Sequence, residues 1–388
     1  MVRGLAALLV VLTHLSSKTP ELARNKGHLI NFFCNWGTEA VIIFFILSGI
    51  VIHSSFEKKP RSMSMFLYQR IVRLHPTLLL GVLISVVIEH SIFRQVPPLG
   101  TIFFNIIPLS SISGYLSPLL WNTNPVIWSL TFEVFFYLIF GLFAINNKKI
   151  NNRNLILWFI ISVCCIGFYY INFSSAILNH LIQMFAFSTI WIVGFYIWKL
   201  RGYFSMNLLT AIFGVLMFPL ISRLRLTENY YDPAKYFLFA CVSIPMFLYL
   251  IVDKSSTALQ KKVFLITIPL VIIYIVASTL LILDRSYLSA IKIAYVLLPF
   301  FSLLITSKLI KRLLSYLRDK IFLPFFVCLG KYSYSIYLFH FPIIVGINAY
   351  FTEVNLLIRV SIIFICTLLL SYFMENVIQS FLNKKLLR

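Results

Sequence analysis

Charge is what this chain has least of. Only 12% of its 388 residues are Asp, Glu, Lys or Arg, and just 12 side chains are acidic. Soluble domains keep about a quarter of their residues charged, and a chain that is 60% hydrophobic could not hide its apolar side chains in one soluble core. An ordinary globular enzyme is excluded. Metal-ligand and redox spacing is missing too. Cys34, Cys164, Cys165, Cys241, Cys328 and Cys366 form no CxxC pair and mostly sit in apolar runs, so they read as small hydrophobes and imply neither a metal nor a disulfide framework. No small-residue cleavage site precedes the first apolar run, so removal of the N-terminus is not expected. Internal repeats and low-complexity linkers are also lacking, which makes a single domain over 1–388 the economical reading.

What the chain has instead is long apolar runs, each roughly 17 to 25 residues and long enough to cross a ~30 Å hydrocarbon layer as a helix. They predict an all-α integral membrane protein, a polytopic bundle of about 12 (10–12) transmembrane helices. The spans fall near 2–16, 38–56, 74–92, 126–146, 154–172, 180–199, 204–222, 235–252, 263–283, 289–308, 332–350 and 356–376.

The formal charge of +21 would suggest nucleic acid in a soluble chain, but here the positions of the basic residues mark a membrane side. Arg3, five residues between 58 and 73, three between 148 and 153, Lys199 and Arg201, three between 254 and 262, six between 308 and 331 and three after 383 all fall on alternate connections. The opposite connections hold Glu21, Glu39, Glu89, Glu228, Asp232, Asp284 and Glu353. By the positive-inside rule both termini are expected in the cytoplasm. Residues 93–125, broken by Pro97, Pro98, Gly100, Pro108, Gly114 and Pro118, make the longest outer connection, where acceptor choice would be encoded. Residues 309–331 combine Lys311, Arg312, Arg318 and Lys320 with "IFLPFF", the pattern of an interfacial segment against anionic lipid.

Ionisable side chains at membrane depth are costly and therefore functional candidates. In "RGLAALLVVLTH", Arg3 and His14 are eleven residues apart, about three helical turns plus ~20°, so one stripe of the first helix carries a cation at one mouth and an imidazole ~16 Å away. The bland alternative is an interfacial arginine and a headgroup histidine. "WSLTFEVFFY" puts Glu133 inside the fourth span, at the expected depth of His14, with Ser129 and Tyr137 at i−4 and i+4. A protonated carboxyl in a packed core is the rival reading. "GKYSYSIYLFHFP" aligns Ser333, Tyr337 and His340 on one face, with a satisfied core histidine as the alternative. His53 and His75 flank the inner interface and read as structural. Arg70 and Arg73, before Pro76 and after Lys58, Lys59 and Arg61, suit a polyanion because guanidinium forks match phosphate oxygens, although such charges also set topology. Ser48 and Gly49 in "FFILSGIVI" would allow close helix approach.

With these motifs in order, the sequence resembles acyltransferase family 3, the integral-membrane O-acyltransferases that modify bacterial surface glycans and related lipids or small molecules. The resemblance runs from residue 3 to about 376 and ends on "YFMENVIQSF". It implies His14, Glu133 and His340 as catalytic residues, Arg3, Arg70 and Arg73 as the donor-binding cations, and Glu375 as a further functional residue. Family members generally have several residues before the first Arg, so a longer N-terminus is expected. The implied reaction moves an acyl group, most simply acetyl, from cytoplasmic acyl-CoA to a hydroxyl of an outer-side glycan or lipid-linked saccharide. His14 would be the general base, oriented by Glu133, with His340 polarising the thioester or sharing the proton transfer. The implied location is a bacterial inner membrane, with lipid as the surroundings, no nucleic acid, no metal and a homo-oligomer left open. A proton-coupled carrier or flippase of a glycan precursor would also use buried His and Glu, and a non-catalytic assembly scaffold is the third reading.

Overall fold

The computed structural model describes residues 1–24, 34–107, 120, 122–171, 173–203, 208–222, 231–251, 320 and 322–386. Each predicted span among these residues falls on a helix. Those at 263–283 and 289–308 lie outside the described residues, as does most of the basic segment 309–331. Among the described residues, six helices are long and apolar enough to cross a membrane. The first helix, α1 (Val2–Lys18), is seventeen residues long.

The chain forms two compact units. One comprises Met1–Phe44, Lys59–Ser188 and Pro324–Arg388. It holds α1, the short α2 (Pro20–Arg24), the first part of α3 (Gly37–Lys58), α4 (Met63–Phe93) and α5 (Leu99–Ile106). It continues with α6 (Trp128–Ile139), α7 (Asn152–Phe168), the first half of α8 (Ala176–Leu200) and, past the second unit, the C-terminal helices. Ser62 caps α4 by accepting from Met65 N, and Asn151 caps α7 from Arg153 N and Asn154 N, so these helices start where their orphan N–H groups find a side chain. Beyond α6 a π turn, Phe140–Ala144, leads into the two-residue strands Ile145–Asn146 and Lys149–Ile150. Leu79, Leu83 and Val87 are more than half exposed at i, i+4 and i+8 on α4, an apolar stripe that suits lipid rather than water.

The second unit comprises Phe45–Lys58 and Thr189–Leu323. Here the rest of α3 crosses the rest of α8, and α9 (Leu208–Ser222) packs on α10 (Pro233–Ile251). A β-carbon on Gly49 would overlap the Trp191 carbonyl, and one on Gly194 would overlap that of Ile46. Ser48 accepts from the Trp191 indole at 3.2 Å. This is the close approach expected of "SG" in the sequence. His53 Nδ1 donates to the Phe195 carbonyl at 2.9 Å, and its ring stacks on Phe195.

Three C-terminal helices complete the first unit: α11 (Leu323–Tyr350), α12 (Leu356–Phe373) and, after a π turn at Met374–Ile378, α13 (Gln379–Leu386). α11 crosses α1 at Gly4, where a β-carbon would overlap the Phe326 carbonyl, so the backbones touch. Arg359, 2% exposed, pairs with Glu21 and donates to the carbonyls of Phe351 and Thr352, which fastens α12 to the segment after α1.

Candidate active site

All six predicted site residues, and Glu375, belong to the first unit. His14 and His340 form one layer, and Arg70, Arg73, Glu133 and Glu375 a second. The first is formed by α1 and α11. His14 Nδ1 lies 2.9 Å from His340 Nε2, the rings stack 5.1 Å apart at 29°, and Phe341 closes one side. His340 is fully buried, and its Nδ1 faces the Ile336 carbonyl at 3.0 Å; His14 is half-buried.

These contacts fix the tautomers of the neutral pair. A carbonyl only accepts, so His340 Nδ1 carries the hydrogen and Nε2 is left as an acceptor. His14 Nδ1–H then donates to it, and the lone pair of the pair rests on His14 Nε2, on the more exposed ring. A base oriented by a second group is the arrangement that general-base catalysis needs.

The side chain in contact with His14 is His340, and the expected Glu133 lies elsewhere. Glu133 accepts from Tyr137, one turn along its own helix, and shares no hydrogen bond with His14 among the described residues. The i+4 partner was legible, but the second was not: Ser129 bonds the Tyr337 hydroxyl at 2.8 Å instead of facing Glu133. Tyr337 in turn donates to the Val126 carbonyl at 2.8 Å, and Ser333 turns back to Gly330 O at 3.0 Å. Glu133 belongs to the second layer, whose centre is Tyr334. Glu133, Tyr137, Arg73 and Glu375 all lie within electrostatic reach of that phenol, which donates to the Leu74 carbonyl at 2.9 Å.

In this layer the two arginines of α4 part company. Arg73 Nη1 meets Glu375 Oε2 at 2.5 Å, and Glu375 Oε1 accepts from Ser335 at 2.8 Å; the π turn after α12 carries the carboxylate there. Arg70 has no carboxylate partner among the described residues. Its guanidinium lies over the rings of Phe66 and Tyr137, 5.7 and 5.8 Å from their centroids, and its Nε is buried without an acceptor. Arg61 stands near enough that burial and the charge of Arg70 hold it below the usual arginine range. Two cations facing one another attract an anion. Arg3, beside Gly330 on α11, also has a buried Nε without an acceptor among the described residues.

The acyltransferase domain family matches residues 1–375 of this chain. The chain belongs to that family. The chain is also 30% identical to Acyltransferase MdmB of Streptomyces mycarofaciens over 156 residues, 39% of this chain and 40% of the relative. The chain thus spans about two fifths of the length of the curated relative it matches. No solved structure matches it. Membership of an acyltransferase domain family supports an enzyme of acyl transfer, and six helices among the described residues, long and apolar enough to cross a membrane, make the chain a multi-pass membrane protein.

Proposed function

We propose that this acyltransferase moves an acyl group, most simply acetyl, from acyl-CoA on the cytoplasmic side to a hydroxyl of a glycan or lipid-linked saccharide on the outer side of a bacterial inner membrane. The observation that carries the reading is the His14–His340 contact, which leaves a basic lone pair on a half-buried ring, in the same unit as Arg70, a cation without a carboxylate partner among the described residues. The lysine and arginine bias of the connections supports the orientation, with both termini inside and about twelve spans.

His14 Nε2 takes the proton of the acceptor hydroxyl as its oxygen attacks the thioester carbonyl. Collapse of the tetrahedral intermediate expels the thiolate, which recovers a proton, so that thioester and alcohol become ester and free thiol. His340 keeps the His14 ring in the tautomer that exposes Nε2. Arg70, with Arg3, holds donor phosphate by charge-assisted hydrogen bonds, while Glu375 keeps Arg73 in place. Glu133 orients Tyr137, over whose ring Arg70 lies.

Inside-out vesicles given labelled acetyl-CoA test this reading. Wild-type protein is expected to put alkali-labile label into the glycan and lipid fraction, and His14→Ala to lose it. Equal labelling by both would remove the base assignment; solute movement driven by a proton gradient, with no label transferred, would replace the reading.

A further inference from the structure

Two prolines interrupt helices beside the two layers, and each leaves a carbonyl without its in-helix donor. Pro342 offers no N–H to Leu338, close to His340 on α11, and Pro76 offers none to Val72, between Arg70 and Arg73 on α4. Amide side chains from elsewhere fill both places. Asn124 Nδ2 donates to Leu338 O at 3.2 Å, and Gln379 Nε2 donates to Val72 O at 3.1 Å.

Asn124 is 0% exposed. Its other amide hydrogen goes to Ser85 Oγ at 3.0 Å; Ser85 gives its own hydrogen to Gly81 O at 2.7 Å, so toward Asn124 it can only accept. Both hydrogens are committed to acceptors, which settles the orientation of the amide. Oδ1 is then left buried with no donor among the described residues. The segment is anchored next door by Glu89, whose two oxygens accept from Asn122 at 2.7 Å and Thr123 at 2.8 Å. The result is a fixed hydrogen-bond acceptor braced against the stretch of α11 that carries His340.

We propose that Asn124 Oδ1 binds the acceptor substrate, accepting a hydrogen bond from a second hydroxyl while a first one is acylated. This rests on the acyl-transfer reading and narrows its substrate class to polyols with at least two free hydroxyls, such as saccharides. An oxygen that can only accept selects O–H groups over ester or ether oxygens, so it favours a sugar not yet acylated at the held position.

The test must separate substrate binding from bracing of α11. Pro342→Ala restores a backbone N–H for Leu338 and makes the brace redundant. In inside-out vesicles with labelled acetyl-CoA and their own glycans as acceptor, Asn124→Ala is expected to lower ester label relative to released acetate at least tenfold, with acetyl-CoA affinity within twofold of wild type. The Pro342→Ala/Asn124→Ala double variant is expected to recover thermal stability but not the ester label. If the double variant labels as well as Pro342→Ala alone, Asn124 is only a brace and the proposal is wrong. If wild-type vesicles yield no ester, the acyl-transfer reading fails and takes this one with it.

Discussion

Arg73 Nη1 lies 2.5 Å from Glu375 Oε2, while Arg70, three residues earlier on the same helix, has no carboxylate partner among the described residues. Two arginines that look equivalent in "RIVR" therefore stand in different electrostatic settings. Arg70→Ala is expected to raise the KM for acetyl-CoA about 10- to 150-fold, the loss of one charge-assisted hydrogen bond of ~1.5–3 kcal/mol, with little change in thermal stability. Acetyl-pantetheine, which lacks the phosphates, should show no such increase. Label transfer as a function of donor concentration reads both.

Arg73→Ala should show itself in stability. It strands Glu375, whose side chain is 5% exposed, but Arg73 itself is 34% exposed. The 3–5 kcal/mol typical of breaking a buried pair is therefore reduced to about 1–3 kcal/mol. Glu375→Gln keeps an acceptor for Ser335 and is expected to lose less. Thermal unfolding of the purified protein in detergent measures both.

Gly4→Ala pushes a methyl group into the Phe326 carbonyl, backbone that cannot rotate away. The α1–α11 crossing must open, at a cost of about 1–3 kcal/mol, and since Arg3 and His14 ride on α1, activity should fall with stability. Gly100→Ala, with nothing within 4 Å of the added carbon among the described residues, is the control expected to be neutral. Melting temperature and label transfer together check the pair.

The sequence made helical periodicity legible, and with it every contact made along one helix. The Arg3–His14 stripe and the Glu133–Tyr137 pair follow from spacing alone. Contacts between helices were not legible, because spacing within a helix says nothing about the height at which another helix crosses it. That is why Glu133, placed by counting at the depth of His14, joins Tyr334 and Tyr137 instead, and why His340 takes its place beside His14. Arg359 escaped notice for the same reason: its partner Glu21 stands 338 residues away. A signal for Asn124 and Gln379 did exist. Pro342 and Pro76 inside apolar helices announce a carbonyl in need of a donor, though not which side chain supplies it.

The claim on which the mechanism turns is that His14 and His340 act as one unit, and a double-mutant comparison of acetyl transfer addresses it most directly. Removal of a positioned general base costs about 10²–10⁴ in rate, and groups that act together do not lose activity additively. His14→Ala is expected to fall in that range, His340→Ala by a smaller factor, and the double variant to no lower a rate than His14→Ala alone. Losses that multiply, or a His14→Ala protein that transfers label at the wild-type rate, would contradict the account.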